Sequence, residues 1–210
     1  LKPDCGEVLL DGTNIFKTNT KLVARKMAVL GQTNTGMSDI TVRTLVQYGR
    51  YAHKKWWEGG TGEDTGIVDW AIERTGMTAL QNRKINALSG GERQRAWIAM
   101  AIAQKPEIML LDEPTTYLDI AHQLEIMELV SKLNREDGIT VVMVLHDMNH
   151  AARFSDELIV LRDKKIHTIG EPWKLIKDGE LETVFRVKAE VLADTEDGSP
   201  IFYAKRVKND

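Results

Sequence analysis

The 210 residues, 42% of them hydrophobic, are enough for one large domain, or a domain with a sub-lobe, around a buried core. With 28 Lys+Arg against 31 Asp+Glu the formal charge is -3, so the chain has neither the basic excess that argues for nucleic acid nor an acidic tail. A single cysteine, Cys5, closes no internal disulfide, and with no charged-then-apolar leader the expected setting is a reducing cytosol.

In chain order, "GEVLLDG" predicts a short strand, Glu7 to Leu10, closed by an Asp11-Gly12 turn, and Met27 to Leu30 predicts a second. The segment after it, "GQTNTGMS" (Gly31 to Ser38), is one letter away from the nucleotide P-loop G-x-x-x-x-G-K-[ST], with Met37 where the lysine belongs. Thr41 is placed to cap a helix that carries Val42, Leu45 and Val46 at helical spacing, and Ile67, Val68, Ala71 and Ile72 predict another. Between them lie the paired Trp56 and Trp57, and "EGGTGEDTG" (Glu58 to Gly66), glycine-rich enough for a flexible connector between lobes.

A buried, Ala-rich helix follows "LSGG" and ends before Pro106, because proline disfavours helix in the residue ahead of it. The continuous apolar runs Glu107 to Leu111 and Ile139 to Leu145 predict strands of a parallel sheet covered on both faces. The longest apolar stretches, Ile139 to Leu145 and Ile98 to Ala103, are too short for a bilayer span of roughly 20 residues, so any membrane role is peripheral. The helix between the two strands, capped by Asp119, carries Ile120, Leu124, Met127 and Val130 on one face. Strand, helix and strand make an α/β domain with right-handed crossovers. A strand at Leu158 to Leu161, a Lys164-Lys165 turn and two β-like segments around Asp197-Gly198 complete the chain.

Three places carry chemistry. Asp112 and Glu113 end a buried strand, where an open α/β sheet binds its ligands; such a pair can hold Mg²⁺ and orient or deprotonate a water, although acidic pairs also end strands simply to be solvated. His146 and Asp147 end the next strand and should bring His146 near Asp112; a structural histidine is the plain alternative. "LSGGERQR" (Leu88 to Arg95) sets Ser89, Gly90 and Gly91 at a helix N-terminus, whose free N–H groups and dipole attract anions.

"LSGGERQR", then "IMLLDEPTTYLD", then "VLHD", in that order, resemble the ATP-binding subunit of ABC transporters over nearly the whole chain. The resemblance implies an α/β P-loop NTPase-type core with a parallel sheet and a helical sub-lobe at about residues 40–100, within a single domain over residues 1–210. It implies ATP and Mg²⁺ as cofactors. Ser89, Gly90 and Gly91 would contact the γ-phosphate of ATP held by a partner subunit, and Asp112 would be the Mg²⁺-associated aspartate. Glu113 would be the general base, Thr116 to Asp119 the D-loop, His146 the switch histidine, and Gln32 the Q-loop glutamine that touches Mg²⁺ and water. Glu92, where glutamine is commoner, adds charge near the triphosphate but complements the helix dipole.

"GQTNTGMS" then reads as a Q-loop that imitates a P-loop, and the resemblance places the true phosphate cradle upstream of Leu1. These residues alone are expected neither to hold ATP in their own half-site nor to hydrolyse it, while still able to offer Ser89 to Gly91 to a complete partner. Phrases such as "LVQYGRYAH" and "VLHDMNHAARFSDELIVLRDKKI" resemble importers of ferric siderophores, ferric citrate, haem or cobalamin. The partners implied are a second ATPase subunit in a homodimer, transmembrane permease subunits and, indirectly, a substrate-binding protein, with no nucleic acid, at the cytoplasmic side of the membrane. Trp56 and Trp57 would lie on the permease docking surface, or would simply close the helical lobe. A soluble ABC ATPase of repair or translation is the rival enzyme, and a noncatalytic interaction module the rival of another class.

Overall fold

The computed structural model describes residues 2–32, 39–53, 62–196 and 198–208, which divide into two compact units, Leu1–Val144 and Leu145–Asp210. In the first, Asp11 and Gly12 both take positive φ, 50° and 73°, and so turn β1 (Leu9–Leu10) back onto β2 (Thr13–Asn14). Asn19 accepts from the Lys21 N–H and starts α1 (Thr20–Lys26), which runs directly into β3 (Met27–Leu30).

Next come α2 (Val42–Tyr48), α3 (Gly62–Arg74), α4 (Gly90–Ala103), β4 (Ile108–Asp112), α5 (Ile120–Asp137) and β5 (Thr140–Val144). Thr41 and Asp119 cap α2 and α5 as their sequences predict. The connector reading fails over residues 62–66, which form the first turn of α3; Asp64 there pairs with the buried Arg50 at 2.7 Å, a contact that makes a helix start out of a loop-like composition. Trp56 and Trp57 lie outside the described residues, as does most of "GQTNTGMS".

Strands β3, β4 and β5 form a parallel sheet in that order, with Leu30 opposite Leu111 and Asp112 opposite Val144. One face packs on α4 and α5 through Ala28, Leu30, Met109 and Leu111. The other does not match the expected two-sided burial: Val29, Val142 and Val144 are 59%, 51% and 52% exposed, because the strand's period of two turns them away from those helices. Helices α2 and α3 lie against α4. Gly49 permits the closest of these approaches, since a Cβ there would stand 2.2 Å from the Met100 carbonyl oxygen.

In the second unit Asp147 caps α6 (Met148–Phe154) by accepting from the His150 N–H at 2.8 Å. A hairpin of β6 (Leu158–Arg162) and β7 (Lys165–Gly170) follows, then α7 (Pro172–Lys177), α8 (Glu180–Phe185) and a hairpin of β8 (Val187–Ala193) and β9 (Pro200–Val207). Its core gathers Ala152, Val160, Leu175, Ile176, Leu181 and Phe202. Asn149 fastens α6 to β9 by accepting from the Phe202 N–H at 2.8 Å.

Candidate functional site

The parallel register sets the carboxyl ends of β3 and β4 side by side, and the two chemically distinctive segments leave from there. Beyond Asp112 the chain turns sharply: Glu113 takes φ 50°, and its N–H donates to the Val144 carbonyl at 3.2 Å. A left-handed glutamate costs about 1–3 kcal/mol, a strain that fixed surroundings must hold. Those surroundings include Gln32, whose Nε2 donates to Glu113 Oε2 at 2.7 Å, and Thr116, whose hydroxyl donates to the same oxygen at 2.9 Å. Because Gln32 gives its nitrogen to the carboxylate, its carbonyl oxygen is left for another partner. Asp112 is exposed at the same strand end. Among the described residues no three His, Cys, Asp or Glu gather as a metal cluster.

At the tip of α4, Ser89 holds an extended conformation and its Oγ accepts from the Glu92 N–H at 3.2 Å; Glu92 Oε2 accepts from the Ser89 N–H at 2.7 Å. This reciprocal capping box satisfies two of the tip's donors and leaves the Gly90 and Gly91 N–H groups outside it. The Ser89 N–H holds the Glu92 carboxyl below the ordinary carboxylate range. Glu92 is therefore engaged in fixing the tip. The S-x-x-E spacing spells this box, a signal that the dipole argument alone passes over.

The tip lies against the start of α5. A Cβ on Gly90 would meet Leu118 Cδ2 at 3.2 Å, and one on Gly91 would meet His122 Cγ at 2.8 Å. Asp119 caps α5 by accepting from the His122 N–H at 2.9 Å, and Tyr117 beside it takes φ 63° and is 93% exposed. Ser89 to Gly91 and Leu118 to His122 are thus one packed structure, a juxtaposition that no periodicity in the sequence announces. Gln32, Glu113 and Thr116 form a second cluster. His146 is exposed two residues past the end of β5 and belongs to the second unit. Asp147 serves as the cap of α6.

Residues 1–116 match the ABC transporter family. The iron(3+)-hydroxamate import ATP-binding protein FhuC of Bacillus subtilis (strain 168) is 46% identical over 201 residues, 96% of this chain and 75% of the relative. The chain belongs to the ABC transporter family. It is an ATPase cassette, and ATP is the nucleotide that ABC ATPases bind. Among solved structures, an inward-facing putative metal-chelate type ABC transporter aligns with a TM-score of 0.78 at 25% identity, covering 87% of this chain and 72% of its own. A dimeric bacterial ABC transporter cassette aligns at 0.70 with 32% identity, covering 81% and 75%. Among the described residues of the cassette, no helix is long and apolar enough to cross a membrane.

Proposed function

We propose that this cassette is the ATP-binding subunit that powers import of ferric siderophores or related metal chelates. The observation that carries the reading is the meeting of Gln32 and Glu113 at the carboxyl edge of a parallel sheet, with Asp112 beside them. Glu113 accepts the proton of a water whose oxygen bonds to the γ-phosphorus as the bond from that phosphorus to the β,γ-bridging oxygen breaks. Asp112 and the Gln32 carbonyl oxygen suit Mg²⁺, which keeps several waters and takes the rest of its ligands from one or two carboxylates and substrate phosphates. Bound Mg²⁺ would neutralise charge on those phosphates. His146 is read as the switch histidine at the γ-phosphate, and Asp119 as the D-loop aspartate of the dimer contact.

Ser89 and the N–H groups of Gly90 and Gly91 are read as the donors offered to ATP on a second copy of the subunit. The likeness to a hydroxamate-import subunit and to a metal-chelate transporter supports the cargo class, permease partners, a substrate-binding protein further out, and a peripheral place on the cytoplasmic side of the membrane. The reading takes residues 1–210 as a single ATPase domain with a helical lobe at about residues 40–100. In none of the 210 residues does a lysine follow a glycine, so no G-K pair of a P-loop is present, and hydrolysis by these residues alone is not expected.

The test is ATP turnover and ferric-siderophore uptake by the subunit assembled with its permease in vesicles. Turnover stimulated by the loaded binding protein and lowered about 10²–10⁴-fold by Glu113→Gln is expected; uptake that continues without hydrolysis would overturn the reading. A noncatalytic partner offering only the α4 tip is the second reading, favoured by the packing of that tip as a preformed unit. It predicts ATP-dependent association with a complete cassette but no nucleotide binding by this chain alone.

A further inference from the structure

Gly91 is buried at the second position of α4, where alanine is the better helix former, so glycine there has a steric cause. The place of its missing Cβ is occupied by His122: that atom would stand 2.8 Å from Cγ, 3.0 Å from Cδ2 and 3.1 Å from Cβ of the histidine. The ring is itself held. His122 Nδ1–H donates to Glu125 Oε2 at 3.2 Å, and the same carboxylate oxygen accepts from the guanidinium of Arg95, one turn beyond Gly91 on α4. Gly91 and Arg95 share a face of α4, and His122 and Glu125 share a face of α5, so the two helices touch at two points through one connected set of side chains.

We infer that His122 is a positioning residue for nucleotide engagement: its ring is the spacer that sets Ser89 to Gly91 against the Leu118–Asp119 turn, and it is the reason residue 91 is glycine. The inference deepens the function proposed above and rests on the reading of the α4 tip as nucleotide-facing. It assigns no contact between His122 and ATP. The ring holds the backbone whose N–H groups make that contact, and a shift of 1 Å in such a group can cost about a hundredfold in rate.

The test is a set of variants in the intact subunit with its partners, read as kcat and KM for ATP and as the thermal unfolding midpoint. His122→Ala removes the spacer and is expected to lower kcat/KM by on the order of tenfold, mainly through KM, as a small displacement of positioned donors does. His122→Asn keeps Cβ, Cγ and a planar branch, and restores most of the loss. Gly91→Ala alone drives its methyl into the ring and lowers activity. Gly91→Ala with His122→Ala places that methyl in the vacated space, so the double variant exceeds Gly91→Ala in kcat/KM and unfolds at a higher temperature than the sum of the single effects predicts. A double variant no better than Gly91→Ala, or a His122→Ala at wild-type KM, overturns the inference. No ATP turnover in the unsubstituted assembly overturns the proposed function itself, and the nucleotide role of His122 with it.

Discussion

Gln32 and Glu113 meet side chain to side chain, the amide nitrogen donating to the carboxylate across 2.7 Å although 81 positions separate them in sequence. The sheet makes the meeting, because Leu30 and Leu111 are paired neighbours on β3 and β4 and each residue lies two positions further on. Glu113→Gln leaves an amide oxygen to accept from Gln32 and Thr116 and removes only the basic site. Turnover is expected to fall by about 10²–10⁴, the range of a lost general base. ATP-dependent association with the partner subunit should persist. Steady-state hydrolysis and size-exclusion chromatography with ATP check both, and unchanged turnover would remove Glu113 from the role of base.

Ser89→Arg replaces the cap of α4 with a long cation at the exposed tip. Loss of the cap costs about 0.5–2 kcal/mol, so the subunit should still fold. The bulk at the face offered to a second copy should block closure of the dimer and reduce hydrolysis to background. Wild-type activity in this variant, with normal unfolding, would separate the α4 tip from the reaction.

Much of this is legible in the sequence, and the reasons are local. Thr41 and Asp119 are readable as caps because a side-chain oxygen just before an apolar periodic run meets an orphan N–H whatever the rest of the fold does. The parallel strands are readable from their unbroken apolar runs, although those runs do not say that Val29, Val142 and Val144 face solvent. Helices α1, α6, α7 and α8 are not legible in the sequence: each has only six or seven residues, too few turns for a period to stand out. The first turn of α3 has the composition of a connector, because Asp64 acquires its meaning only from Arg50. The candidate site divides the same way. Its residue types are local, but the contacts of Gln32 with Glu113 and of Gly91 with His122 depend on which elements the sheet brings together.

Glu92 makes the α4 tip a measurable device. Glu92→Ala removes the half of the capping box made by the carboxylate, leaving its backbone N–H to donate to Ser89 Oγ, and should cost about 0.5–1.5 kcal/mol, while Glu92→Gln can still accept from the Ser89 N–H and should cost little. The Ser89 N–H lowers the Glu92 pKa in the folded state, so the carboxylate's contribution is full above the ordinary carboxylate range and fades as pH falls through the folded value. Glu92→Gln has no proton to take up there and should lose that acid dependence. Denaturant unfolding of the three proteins at neutral and acid pH is the check.

His53 gives the opposite kind of titration. Its Nε2 lies 2.8 Å from the carbonyl oxygen of Gln104 at the end of α4. Burial pushes its pKa down; the Gln104 carbonyl raises it in part, and Arg50 and Arg25 lower it further. The unfolded chain therefore binds the proton first as pH drops below about 6.5, and stability should fall with it until the folded histidine also protonates. His53→Gln keeps a donor for the carbonyl and removes the titration. Its unfolding midpoint should vary less than that of the wild type between neutral and mildly acid pH; equal slopes would assign the dependence to other groups.

Arg50 closes the same end of α4 and is the stability anchor of the helical region. Only 6% exposed, it donates through Nε to Asp64 at 2.7 Å and through Nη1 to the Ala103 carbonyl at 2.8 Å. One guanidinium thus joins the start of α3 to the last turn of α4, where cations and donors answer the helix dipole. Truncating one member of a buried ion pair typically costs about 3–5 kcal/mol, and Arg50→Ala should show a loss of that order in denaturant unfolding. Arg50→Lys retains the charge but has a single head group for two acceptors at different angles, so it should recover only part of the loss. If Arg50→Ala unfolds within about 1 kcal/mol of the wild type, the pair behaves as an ordinary surface bridge, and the anchoring of α4 rests on its apolar face alone.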